Sequence, residues 1–153
     1  MRPGFPPAAN IRYPLSDMHT AHADIILVED DPLVGEIARD ILAGGGYDVR
    51  LIPDPRDAMA AIKKAHPRLV ITDIMMPGIT GLDLCKAITS EHSLAKVKVM
   101  ILSAKSFEIE KQRAQMFGAS HFLPKPFTAQ GLLKAVKHLL QDPAQPDPHQ
   151  HSR

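Results

Sequence analysis

The chain of 153 residues holds one cysteine, Cys85. No disulfide can form within it, and such usage fits a reducing compartment. No apolar run approaches the roughly 20 residues that span a bilayer. The opening stretch, MRPGFPPAANIRYPLSDMHTAHA, lacks the continuous apolar core of a secretory signal. Charge of one sign is lacking too. The formal net charge is +1, so the totals give no argument for nucleic acid or an anionic membrane as partner. There is no internal repeat. A soluble, cytoplasmic protein is the expectation these absences leave. The length suits one domain and falls short of two. Hydrophobic residues make up 44%, enough material for a real core.

Proline crowds both ends: Pro3, Pro6, Pro7 and Pro14 at the start, Pro143, Pro146 and Pro148 at the finish. Such segments bury too little to offset their ordering entropy. Residues 1–22 and 142–153 are therefore expected to be disordered tails around a single folded domain at 23–141. Within it, short apolar runs at 25–28, 47–52, 69–71, 97–102 and 122–123 read as strands. Several are continuous and rich in Ile and Val, as in parallel strands buried on both faces.

The segments between the runs read as helices. Asp31 before Pro32 looks like an N-cap and first helical position. Leu33, Ile37 and Ile41 then recur every four residues up to Gly44-Gly45-Gly46. Asp54-Pro55 opens a second helix in the same way. Further helices are expected at 81–90, with Leu84 and Ile88 on one face, and at 106–117. The last is capped by Thr128 and carries the stripe Leu132, Leu133, Val136, Leu139 and Leu140. Strict alternation of five strands and five helices implies right-handed βαβ units on a parallel sheet, an α/β fold. Ligands of such sheets bind beyond the carboxyl ends of the strands.

What stands at those ends is acidic. The first strand runs into Glu29 and Asp30, and the third into Asp73. The fourth reaches Ser103, and Lys125 follows the fifth. Three neighbouring carboxylates would not all stay ionised without a cation. A hard divalent ion answers this, and magnesium suits few carboxylates together with waters and phosphate oxygens.

The pattern ILVEDD at 26–31, VITDIMMPGITG at 70–81, MILSAK at 100–105 and FLPKPF at 122–127 resembles the response-regulator receiver family. The intervals agree as well: 43 residues from Asp30 to Asp73, 30 on to Ser103, and 22 on to Lys125. The resemblance covers about 24–141. Each motif alone is weak; together, in order and at family spacing, they are specific.

The resemblance implies a flavodoxin-like, doubly wound (βα)5 three-layer sandwich with strand order 2-1-3-4-5. It implies that Asp73 is the phosphoacceptor in a two-component system or phosphorelay. Asp30 would be a direct ligand of Mg2+ and Glu29 a ligand through water, with Asp73 and the backbone carbonyl of Met75 completing the set. Ser103 and Lys125 would hold phosphoryl oxygens, and Ser103 and Phe122 would act as switch residues. Many relatives carry Tyr at the Phe122 position, so an output that needs its hydroxyl is in question. The Lys125–Pro126 bond is cis in the family.

The partners so implied are a sensor histidine kinase or histidine phosphotransfer protein, and a separate output protein that reads the surface of the last two helices and the strand between them. A stand-alone receiver is expected: not an enzyme, a monomer or weak dimer, with no nucleic acid and no membrane among its partners. Some residues keep two readings. Asp31 is a third metal ligand or an N-cap, and Met75 is loop packing or a shield over the acyl phosphate. A phosphatase of the haloacid-dehalogenase class would want a second Asp where Met75 stands. A flavodoxin-like phosphate binder would want a Gly-rich cradle where EDDP stands.

Overall fold

The computed structural model describes residues 22–104 and 108–141. Five parallel strands form one sheet: β1 (Ile25–Val28), β2 (Val49–Ile52), β3 (Leu69–Asp73), β4 (Lys98–Ser103) and β5 (His121–Pro124). Their order is β2-β1-β3-β4-β5, every neighbouring pair parallel, as the resemblance implied. Five α-helices connect and flank them: α1 (Pro32–Gly44), α2 (Ala58–Ala65), α3 (Gly81–Ser90), α4 (Glu108–Met116) and α5 (Ala129–Leu139). The tails expected at 1–22 and 142–153 fall outside the described residues, His22 excepted. So does the start expected for the fourth helix at 106.

The three central strands divide their side chains between two cores. Ile25, Leu27, Leu69, Ile71, Met100 and Leu102 pack with α1 and α5, against Ala38, Leu42, Leu132, Val136 and Leu139. The alternate residues Ile26, Val28, Val70, Val99 and Ile101 pack on the other face, against Ile62, Leu84, Ile88 and Ala114 of α2, α3 and α4. Successive strand residues point to opposite faces, so a strand covered on both sides must be apolar throughout. That is why these runs show no alternation. Cys85 is a packed residue of the second core, and burial pushes its thiol up to about 11.

Two local readings need correction, and the Leu33–Ile37–Ile41 repeat marks the α1 helix but not its inner face. Leu33 is 68% exposed and Ile37 47%, while Gly35, Ala38 and Leu42 are buried. Small residues go inward because α1 lies close on β2: a Cβ at position 35 would sit 3.1 Å from Leu51 Cδ1. Asp54 caps a single 3-10 turn (Pro55–Asp57), and the α-helix follows only at Ala58. Tyr47 and Asp48 precede β2 instead of belonging to it. Among the described residues no helix is long and apolar enough to cross a membrane.

Candidate functional site

Registry brings the polar residues to one edge. Val28 pairs with Thr72, so Glu29 stands level with Asp73, the last residue of β3. Asp73 pairs with Leu102, and Ser103 ends β4 one step further along. Lys125 follows β5 and anchors there through its backbone N–H, which donates to the Ser103 carbonyl at 2.6 Å. Each of these side chains leaves a strand just where the sheet stops.

Lys125 ties the cluster together. Its Nζ donates to Glu29 Oε1 at 2.8 Å and lies 3.5 Å from Asp73 Oδ1. Glu29 is only 2% exposed and Asp73 8%. Burial pushes both carboxyls above the usual range, even though Lys125 works to lower them. Burial also works against the Lys125 charge, but Glu29 and Asp73 outweigh it and hold the ammonium above its ordinary value. Oxygens of Glu29, Asp30 and Asp73 lie within 4.8 Å of one another. Three carboxylates thus face one ammonium. The excess negative charge and the all-oxygen donors suit a hard divalent cation, so the residues present fit the magnesium ion implied by the resemblance.

Of the residues expected at the site, Glu29, Asp30, Asp73 and Lys125 are brought together. Ser103 is fully buried at the adjoining strand end. Phe122 lies three residues before Lys125, partly buried against the α2–α4 core and outside the charge cluster. The Met75 side chain is exposed and lines a groove toward α4. Asp31 resolves as the N-cap: its Oδ1 accepts from the N–H groups of Leu33 (3.0 Å) and Val34 (3.3 Å), and its own N–H donates to Glu29 Oε2 at 3.2 Å. The Lys125–Pro126 bond is cis.

The loop after Asp73 is shaped by glycines. Gly78 takes a left-handed conformation at φ +84°. At Gly81 the helix start presses on the strand end, and its N–H donates to the Ile74 carbonyl at 2.9 Å. A Cβ there would meet the Asp73 carbonyl oxygen at 2.0 Å.

Two neighbours of the site carried no sequence signal. Thr72 is fully buried, and its hydroxyl donates to the Asp73 carbonyl at 3.0 Å. A threonine inside an apolar strand reads as ordinary β propensity. Arg56 lines a cleft of about 510 Å³ together with Asp30, Pro53 and Pro77. Arg56 is held by both oxygens of Asp54, which lowers that carboxyl to about 2. In the sequence, Asp54-Pro55 reads as a helix start and gives Arg56 no role.

Residues 25–137 match the model of the response regulator receiver domain. The chain is 31% identical to the DNA-binding response regulator MtrA of Mycolicibacterium smegmatis over 81% of its length and 53% of that protein. It thus spans about half the length of MtrA. The match to Protein PilG of Pseudomonas aeruginosa, also at 31% identity, takes in 74% of this chain and 84% of PilG. The solved chemotaxis response regulator CheY4 of Vibrio cholerae superposes with a TM-score of 0.73 at 28% identity, over 78% of this chain and 99% of that one.

Proposed function

The chain belongs to the response regulator receiver domain family, and from that premise we propose that it accepts a phosphoryl group on Asp73. The donor is a phosphohistidine on a sensor histidine kinase or a histidine phosphotransfer protein. A carboxylate oxygen of Asp73 attacks phosphorus, the P–N bond breaks, and the imidazole leaves with the bonding pair to take up a proton. The observation that carries this reading is Lys125 Nζ, placed 2.8 Å from Glu29 and 3.5 Å from Asp73 beside the third carboxylate, Asp30.

Glu29, Asp30, Asp73 and the Met75 carbonyl would hold Mg2+, which neutralises charge on the transferred group. Lys125 Nζ, held by its hydrogen bond to Glu29 and by the charge of Asp73, would turn from Asp73 to a phosphoryl oxygen. The Ser103 hydroxyl donates to another oxygen of the group. As Ser103 moves, Phe122 turns inward, and the surface of α4, β5 and α5 changes for a partner protein. The reader of that surface would be a separate output protein, as the resemblance implies. The DNA binding in the name of MtrA is said of that protein, of which the match takes in 53%. The chain acts as an acceptor and not as a phosphatase, since a thioether at Met75 cannot serve as acid or base.

Incubation of the chain with Mg2+ and acetyl phosphate, followed by intact mass, tests the reading. One phosphoryl group should be added, and the addition should vanish in Asp73→Ala and on chelation of the metal. Addition that persists unchanged in Asp73→Ala contradicts it.

A further inference from the structure

The amino end of the sheet, away from Asp73, is basic. Arg68 precedes β3 and Lys98 opens β4, and Leu69 pairs with Lys98, so the two cations stand on neighbouring strands. Asp73 lies four residues beyond Leu69, about 13 Å along the strand. Both cations are tied to the end of α5. An Nη of Arg68 donates to the Leu140 carbonyl and Nζ of Lys98 to the Leu139 carbonyl, each at 2.6 Å. With His66 and Lys96 they line a cavity of about 1090 Å³, near the size of sites that hold small molecules. No Asp or Glu lines it. Asp24, at the same edge, accepts from the N–H of Asp48 and faces His22, and Glu91 faces Lys63.

The end of α5 does not use up this charge. A helix C-terminus carries about half a negative charge, whereas Arg68, Lys96 and Lys98 bring three positive ones. An excess of roughly two charges therefore faces the cavity. A guanidinium has five N–H donors and an ammonium three, so the bonds to α5 leave donors on both Arg68 and Lys98. Lys96 has no ion-pair partner among the described residues. The bonds to α5 also fix the direction of Arg68 and Lys98, which leaves them less side-chain freedom to lose on binding. Like-signed charges on a concave wall focus their field on whatever enters. Leu94 and Leu139, both buried, give that wall an apolar part.

We propose that this cavity is a binding site for a small molecule bearing a di- or triphosphate group. Three cations spread over one wall match several adjacent anionic oxygens, where a lone carboxylate would satisfy only one of them. A concave site takes a compact polyanion; a membrane or a duplex carries its charge on a surface too broad to enter. Free oligophosphate and the phosphate chain of a nucleotide share this chemistry. The apolar wall at Leu94 and Leu139 separates them, since only a nucleotide has a ring to lay on it. The inference uses none of the chemistry at Asp73.

Isothermal titration of the 153-residue chain in magnesium-free, low-salt buffer tests it, with tripolyphosphate and ATP as the probes. Saturable binding of tripolyphosphate is expected, with a Kd of roughly 0.1 to 1 mM that weakens as salt is added. Lys96→Glu should weaken it about fivefold or more. Lys98→Gln, which keeps a donor for the Leu139 carbonyl, should weaken it about threefold. Lys134→Glu makes the same charge change on α5 outside the cavity and should stay within about twofold of the parent. ATP binding more tightly than tripolyphosphate assigns the site to nucleotides, and ATP binding no more tightly assigns it to free oligophosphate. No saturation by either probe overturns the proposal. So does binding that Lys96→Glu leaves unchanged, or that Lys134→Glu weakens as much as Lys96→Glu does.

Discussion

Burial pushes the carboxyls of Glu29 and Asp73 upward although an ammonium lies against both. The folded protein therefore binds these protons more tightly than the unfolded chain does. Stability rises with pH only where the unfolded state binds more protons, and here the inequality runs the other way. The contribution of these two groups is thus most favourable below the ordinary carboxylate range and is lost as pH rises through their folded values. Asp73→Asn removes one of the carboxyls and keeps an oxygen for Lys125. Without divalent ions, the melting temperature of the parent should fall relative to that of Asp73→Asn as pH rises above the ordinary carboxylate range. At neutral pH the variant should be the more stable of the two. Parallel melting curves over that rise in pH would show the site carries no such burden. Asp73 stood out in the sequence only in company, with Glu29, Asp30, Ser103 and Lys125 at the other strand ends. The role of Thr72 did not, because a buried hydroxyl leaves no mark on a pattern of Val and Ile.

The elements show where periodicity is informative and where it is mute. Continuous Ile/Val runs announced β1, β3 and β4, because covering a strand on both faces leaves no polar position. In α1 the same style of reading found the helix but did not say which face turns inward. Leu33 and Ile37 recur correctly, but the close approach of α1 to β2 admits only small residues such as Gly35 against Leu51. Packing distance, which the sequence does not state, decided the orientation. The loop joining β3 to α3 depends on distance in the same way. Gly81→Ala should push its new methyl into the Asp73 carbonyl and destabilise the fold by about 2 kcal/mol, despite the better helix propensity of Ala. Phosphorylation should slow with it, since the acceptor residue itself must shift. A denaturant melt and a labelling time course check both effects. Unchanged values would mean that the loop relaxes freely.

Across the whole molecule, the sandwich and its functional edge were legible together. Alternating strands and helices fix a parallel sheet, and a parallel sheet gathers its strand ends on one side. Residues up to 96 positions apart, Glu29 and Lys125, thereby become hydrogen-bonded partners. The exposed apolar face of α4 was not legible, because EIEKQRAQM reads as a polar helix until Ile109 and Met116 are seen to share its outer side. The gathered charge also sets the response of the entire fold to metal. Mg2+ at about ten times its Kd should raise stability by about 1.4 kcal/mol, and Asp30→Asn should abolish most of that gain in a thermal melt. A gain retained in full would place the ion elsewhere.

The central claim concerns one atom group, so the most direct measurement locates the new bond. The chain is phosphorylated with acetyl phosphate and Mg2+, treated with hydroxylamine to convert any acyl phosphate to a stable hydroxamate, and digested for tandem mass spectrometry. The modification should fall on Asp73 alone and disappear when magnesium is withheld. Modification of a different residue, or of Asp73 in equal amount without the metal, would contradict the account.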